Sequence, residues 1–144
     1  MLEKEGTSTA KAGQPMADIR QPQDWNIASI IWQEHNADGT RYSLLEGTKD
    51  QHGQAFTYAF FVPAGVWDAA HYHTADARIV IIQGELALGY GDTVDIATAK
   101  NYPFGSYLLV PAYAVHYDGA AATDTILIGT AVGPWETIYV PKQS

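Results

Sequence analysis

Two histidines separated by a single residue constrain this chain more than any other feature. His71 and His73 lie in a stretch, residues 65–84, that begins and ends with glycine. Successive side chains of a β-strand point to opposite faces, so an H-x-H pair on a strand places both imidazoles on one face. The apolar run of residues 79–82 is typical of a buried strand. The stretch therefore predicts paired strands with a face that can bind a metal ion.

A second stretch, residues 105–116, brings a third histidine. Gly105, Pro111 and His116 follow one another as G-x5-P-x4-H, and Gly65 stands six residues before His71. The two stretches resemble the two motifs of the cupin superfamily, G-x5-H-x-H with a later Glu and Gly, and G-x5-P-x-G-x2-H-x3-N. The resemblance covers roughly residues 55–132. It implies an all-β fold, the double-stranded β-helix or jelly-roll barrel, and the many short strands with regular turns predict a sandwich or barrel independently.

The chain departs from these motifs at several positions. Arg78 stands where the family places its metal-binding Glu, and Asp76 is the nearby carboxylate. Tyr113 and Ala120 replace the Gly and the Asn of the second motif. The resemblance therefore implies a metal site made of histidines without a carboxylate.

The metal ligands that the resemblance implies are His71, His73 and His116. Diketone-cleaving dioxygenases and thiol dioxygenases are cupins of this three-histidine kind. Imidazole binds several divalent transition metals, so Fe(II) or Cu(II) is expected first, with Zn, Ni or Mn as alternatives. Three protein ligands leave positions open, which is typical of a catalytic site. A barrel that keeps its histidines but uses no metal is the alternative.

Arg78 is a candidate catalytic residue. If Val80 and Ile82 face the interior, the two-residue period of a strand turns Arg78 inward as well. A buried guanidinium needs a partner. We predict either an anion clamp for the substrate or a salt bridge to Asp68 or Asp76.

Two aromatic residues and two further histidines complete the candidates. Trp67 alternates with His71, so it is expected either to line the substrate pocket or to pack in the core. Tyr113 is assigned to the same pocket. His35 and His52 fall at strand ends or turns, where exposed turn residues are the expected interpretation.

The 144-residue chain is long enough for one domain with its own core. Residues 1–22 are polar and aperiodic, which predicts a disordered or arm-like segment, with Met16 as the candidate natural start and added residues before it.

Residues 23–144 are predicted to form the single cupin domain. Within it, the pattern predicts strands at 29–35, 41–46, 54–63, 79–82, 86–90, 106–110, 113–117, 125–132 and 136–140, and one helical turn at 96–100 capped by Asp95.

The composition limits the classes of partner that the protein is expected to bind. A formal charge of −8 argues against nucleic acid and anionic membranes. No apolar run approaches the length of a membrane span, and no basic region followed by an apolar one indicates a signal peptide. Without cysteine there are no disulfides or thiolate sites. We expect a small-molecule or carbohydrate ligand, and a homodimer formed through an edge strand.

Three functions remain open from the sequence. The first is an oxygen-dependent enzyme that cleaves a small organic substrate at the three-histidine metal centre. The second is a copper-dependent oxidative enzyme, or a metal-assisted lyase or isomerase, acting on carbohydrate. The third is a cupin that binds a small molecule without catalysis. The identity of the bound metal discriminates between them.

Overall fold

The computed structural model describes residues 20–141 and shows them to be nearly all β. The strands are β1 (Glu34–His35), β2 (Arg41–Glu46), β3 (Ala55–Val62), β4 (Trp67–His73), β5 (Ala77–Gln83), β6 (Glu85–Tyr90), β7 (Lys100–Pro103), β8 (Tyr107–Val110), β9 (His116–Gly119), β10 (Thr125–Val132) and β11 (Thr137–Tyr139). The predicted all-β class is confirmed. Most of the predicted N-terminal arm, residues 1–19, lies outside the described residues.

Two antiparallel sheets face each other. One has the order β1-β2-β3-β10-β5-β8, and the other has the order β11-β4-β9-β6-β7. Neighbours in each sheet are often far apart in the chain, as when β10 pairs with both β3 and β5. This interleaving is the double-stranded β-helix that the motifs implied. Among the described residues, no helix has the length and hydropathy to cross a membrane.

Apolar side chains fill the space between the sheets on a two-residue period. In β5 the buried positions are Ala77, Ile79 and Ile81, and they pack in one cluster with Phe56 of the same sheet and Leu86 of the facing sheet. A smaller cluster lies on the outer side of the six-stranded sheet, where Ile30 packs with Leu45 and Ala59. The segment before β1 therefore covers one sheet from outside, and the main core belongs to the barrel.

The strand predicted at residues 29–35 is mostly absent. A 3₁₀ turn covers Ile27–Ser29, and strand geometry is confined to Glu34–His35. The side chain of Asn26 accepts hydrogen bonds from the backbone N–H groups of Ala28 and Ser29. Such a cap competes with strand pairing, which explains the error.

The strand predicted at residues 113–117 begins only at His116, and the remaining predicted elements agree more closely with the structure. Residues 41–46 and 125–132 form β2 and β10 with the predicted bounds. The predicted helical turn is a 3₁₀ helix, Ile96–Thr98, and the Asp95 side chain caps it by accepting from the N–H of Ala97. The helix ends before residue 100 because Lys100 already belongs to β7, where it pairs with Leu88 of β6.

Candidate metal centre

Two neighbouring strands bring the three predicted ligands together. β4 carries His71 and His73, β9 carries His116, and His71 and His116 are directly paired across the two strands. The ring centroids lie 4.3 Å apart for His71 and His116, and 5.0 and 5.2 Å from each of these to His73. One ring nitrogen from each residue falls within 4.8 Å of the others. The three imidazoles thus converge on one point from one face of the sheet.

Hydrogen bonds orient the rings. The Nδ1 atoms of His71 and His116 lie 2.6 and 2.9 Å from the carbonyl oxygens of Ala69 and Ala114. A carbonyl oxygen only accepts, so these Nδ1 atoms carry the proton and Nε2 keeps its lone pair. Nδ1 of His73 lies 3.0 Å from the hydroxyl of Thr137. Partners of this kind fix metal-binding histidines in proteins.

Burial keeps the imidazoles of His73 and His116 neutral. Desolvation, followed by repulsion from His71, lowers the pKa of His73 from 6.5 to about 3 and that of His116 to about 4. Both rings are therefore uncharged at neutral pH. Only the neutral form of imidazole binds a metal ion.

A bulge in β4 changes which residues face the cavity. Asp68 pairs with Asp118 and His71 pairs with His116, so β4 uses one more residue than β9 over this interval. The extra residue places Asp68 on the same side as His71 and turns Trp67 to the other side. The ring of Trp67 instead covers Gly119 and packs against Tyr117. The pocket role predicted for Trp67 is therefore wrong, and the packing alternative holds.

Asp118 and Asp68 are two carboxyl groups beside His71. Asp118 is 8% exposed, and its Oδ1 atom, 3.9 Å from Nε2 of His71, has no hydrogen-bond partner in the part of the chain that the structure describes. Desolvation raises the pKa of Asp118 to about 7, with repulsion from Asp68 added and attraction by His71 opposing it. Burial also raises the pKa of Asp68. Tyr139 donates a hydrogen bond of 2.8 Å to Asp68.

A cavity of about 340 Å³ opens onto these groups. Aromatic rings form much of its wall, and Trp135 stacks on His73 at a centroid distance of 4.1 Å. Of the described residues that line the cavity, the acidic ones are Glu34, Asp38, Asp68 and Asp118, and the basic one is Lys49. A small organic molecule fits a cavity of this size.

Arg78 does not reach the cavity. In β5 the buried residues are Ala77, Ile79 and Ile81, and Arg78 and Val80 are exposed on the opposite face. The prediction used the correct two-residue period with the wrong starting face, since a run of four apolar residues does not mark its inner side. Asp76, the proposed partner, accepts a hydrogen bond from the backbone N–H of Ala112 instead. The inward anion clamp is therefore wrong.

Tyr113 also lies outside the cavity. Its side chain is 64% exposed and packs near Tyr72, and its backbone φ is +66°. This left-handed conformation favours glycine, which is the residue that the motif has at this position. The backbone N–H of Tyr113 donates to the carbonyl of His73. His35 and His52 are exposed and lie away from the three-histidine cluster.

Sequence reasoning missed four residues of the site. They are Asp68, Asp118, Trp135 and Tyr139. Asp118 had a usable signal, because it stands two residues after His116 and so shares its face in a strand. Asp68 had none, because its orientation depends on the bulge. Trp135 and Tyr139 reach the site only because β11 pairs with β4.

The residues present fit a divalent transition metal. Three converging imidazoles form a donor set that such metals prefer. The buried carboxyl groups of Asp68 and Asp118 carry raised pKa values, so a nearby cation would favour their ionised forms. His71, His73 and His116 would hold the ion.

Comparisons with known proteins agree with the fold. No family model and no curated protein matches the chain. Among solved structures, the polyketide cyclase RemF from Streptomyces resistomycificus is similar, with a TM-score of 0.67, 15% identity, and coverage of 86% of this chain and 89% of that one. KdgF from Halomonas sp. gives a TM-score of 0.58 at 15% identity, covering 74% and 91%. A cupin superfamily protein from Desulfitobacterium hafniense gives 0.57 at 17% identity, covering 81% and 95%. The chain therefore has the cupin fold, a double-stranded β-helix.

Proposed function

We propose that this protein is a mononuclear metal-dependent enzyme that acts on a small organic substrate. The observation that carries the proposal is the convergence of His71, His73 and His116, each with Nδ1 next to a polar partner and Nε2 available, in a cavity of about 340 Å³. Neutral histidines that point into a cavity without partners would be costly. Fe(II) or Cu(II) remains the first expectation, with Zn, Ni or Mn as alternatives.

Oxygen-dependent cleavage of the substrate is the first candidate reaction. The resemblance to three-histidine cupins supports it, because the ligand set has the same composition and includes no carboxylate. A bound divalent ion would act as a Lewis acid on a substrate oxygen and, if redox-active, would supply oxygen chemistry. The protein's own part is to hold three neutral rings in place and to enclose the substrate between aromatic walls.

A redox-neutral reaction is the second candidate. The carboxyl groups of Asp68 and Asp118 lie beside His71, and carboxyl groups are acid–base groups that lyases, isomerases and cyclases use. Similarity in fold to a protein named as a polyketide cyclase is compatible with such chemistry. The aromatic rings of Trp135 and Tyr139 also offer stacking surfaces for a carbohydrate ring.

Elemental analysis of protein purified without chelators tests the centre. We expect one transition metal per chain in the parent and a severe loss in each of His71→Ala, His73→Ala and His116→Ala. The matched controls His35→Ala and His52→Ala should keep the metal, because both residues lie outside the cluster. Equal metal content in His116→Ala and the parent would contradict the assignment.

The metal and the use of oxygen then separate the reactions. A redox-active metal with substrate-dependent oxygen consumption supports cleavage. A redox-inert metal, or turnover without oxygen, supports the lyase, isomerase or cyclase. A third outcome is that the protein contains no metal after purification and takes up none from Fe(II), Cu(II) or Zn(II) solutions. That result would contradict both reactions and favour a protein that binds a small molecule without catalysis.

A further inference from the structure

We infer that Asp118 contacts the small molecule bound at the metal, and that the centre consequently selects uncharged ligands bearing an O–H or N–H group over anions. The inference rests on the metal centre proposed above and adds the class of ligand that it takes. It reverses the preference that an inward Arg78 would have produced.

The position of Asp118 is the first argument. It follows His116 by two residues on β9, so both side chains leave the strand on the cavity face. The Oδ1 atom of Asp118 lies 3.9 Å from Nε2 of His71, the nitrogen that is left for the metal. The carboxyl group is therefore next to the point where the three imidazoles converge.

The hydrogen-bonding of Asp118 is the second argument. Its Oδ1 atom is buried and has no partner within residues 20–141, whereas Oδ1 of Asp68 accepts from Tyr139. Buried polar atoms in folded proteins are almost always satisfied by protein, water or ligand. Since the described residues supply no donor, a molecule in the cavity, either water or a bound ligand, is left to supply it.

The grouping of the possible ligand atoms favours a ligand contact of Asp118 over a metal bond. The histidine nitrogens lie within 4.8 Å of one another, and this grouping does not extend to Asp118, which groups with Asp68 and His71. Asp118 lies 3.9 Å from Nε2 of His71 but outside the group that the three histidines form, so its carboxyl group is within reach of a molecule bound to an ion that they hold.

The charge of the wall is the third argument. Among residues 20–141, Glu34, Asp38, Asp68 and Asp118 line the cavity together with one basic residue, Lys49, and Arg78 lies on the outer face. Like charges brought together in an enclosed site are strongly unfavourable. An anion is therefore disfavoured next to Asp118, whereas an uncharged molecule can donate an O–H or N–H to it.

Acetamide and acetate form a matched pair of probes. They have the same shape, and each can bind a metal through oxygen, but only acetamide is uncharged and carries N–H donors. Both are titrated into the Co(II)-loaded protein, and the visible Co(II) spectrum reports binding. In Asp118→Asn we expect the affinity for acetate to rise about tenfold relative to that for acetamide, because a negative charge beside the bound molecule is lost. In Asp118→Ala we expect acetamide to bind about tenfold more weakly.

Controls make the outcomes distinct. Asp92→Asn removes an exposed carboxyl outside the cavity and should leave the probe ratio unchanged. An unchanged ratio in Asp118→Asn overturns the inference, as does a loss of Co(II) affinity of about 100-fold with an altered spectrum, which would make Asp118 a metal ligand. Circular dichroism checks folding, and either variant at Asp118 suffices if the other fails to fold. If His116→Ala keeps Co(II) as the parent does, the metal centre itself is wrong, and the inference falls with it.

Discussion

Replacing Asp118 by Asn should raise the stability of the metal-free protein relative to the parent as the pH increases from 4.5 to 8. Burial raises the pKa of this carboxyl group from 3.8 to about 7, repulsion from Asp68 adds to the shift, and His71 opposes it. At a pH between these two pKa values, the carboxyl group is protonated in the folded protein and ionised in the unfolded chain. The group therefore stabilises the fold at low pH, and this stabilisation is lost as the pH rises through the folded-state pKa.

The size of the effect follows from the pKa. Each pH unit between the unfolded and folded values corresponds to about 1.36 kcal/mol. From pH 4.5 to pH 8 the parent should lose about 3 kcal/mol of unfolding free energy through this group. Asn does not titrate, so the stability of Asp118→Asn relative to the parent should rise by that amount. The lowered pKa values of His73 and His116 act in the opposite direction, with stability lost as the pH falls below about 6.5, but they are present in both proteins.

Urea unfolding with a chelator present measures the difference at the two pH values. Asp92→Asn is the control, because its carboxyl group is exposed and its unfolding free energy should follow that of the parent. If the gap between Asp118→Asn and the parent is the same at pH 4.5 and pH 8, the carboxyl group of Asp118 is hydrated, and its burial has been misjudged.

Three further substitutions test other parts of the structure. Thr137→Val removes the hydroxyl next to Nδ1 of His73, so metal affinity should fall about 10- to 100-fold in a chelator competition. Arg78→Ala should leave metal content and azide affinity unchanged in metal spectroscopy, and a loss of either would place this side chain at the site. Gly129→Ala puts a methyl group against the Tyr58 ring and should cost about 1–3 kcal/mol of unfolding free energy; unaltered thermal unfolding would contradict that contact.

The strand pattern was predictable because local chemistry sets it. Residues 125–132 are mostly apolar or β-branched and lack competing turn chemistry, so β10 has the predicted bounds. Where a local hydrogen bond competes, as Asn26 does before β1, the prediction failed. The four-residue apolar run in β5 shows a related limit. It indicates burial of a strand, but its inner face is decided by the sheet partners, so Arg78 was placed on the wrong side.

The sequence by itself determined the β class, because strand and turn signals act over a few residues, and its resemblance to the two cupin motifs pointed to the three histidines. The tertiary structure alone decided what surrounds them. Because of the bulge in β4, Asp68 faces the cavity and Trp67 does not. Because β11 pairs with β4, Tyr139 lies next to the histidines although it is distant from them in the chain. Burial beside these groups then raised the pKa of Asp118. Such effects depend on neighbours that are distant in the chain, and a short sequence motif carries no record of them.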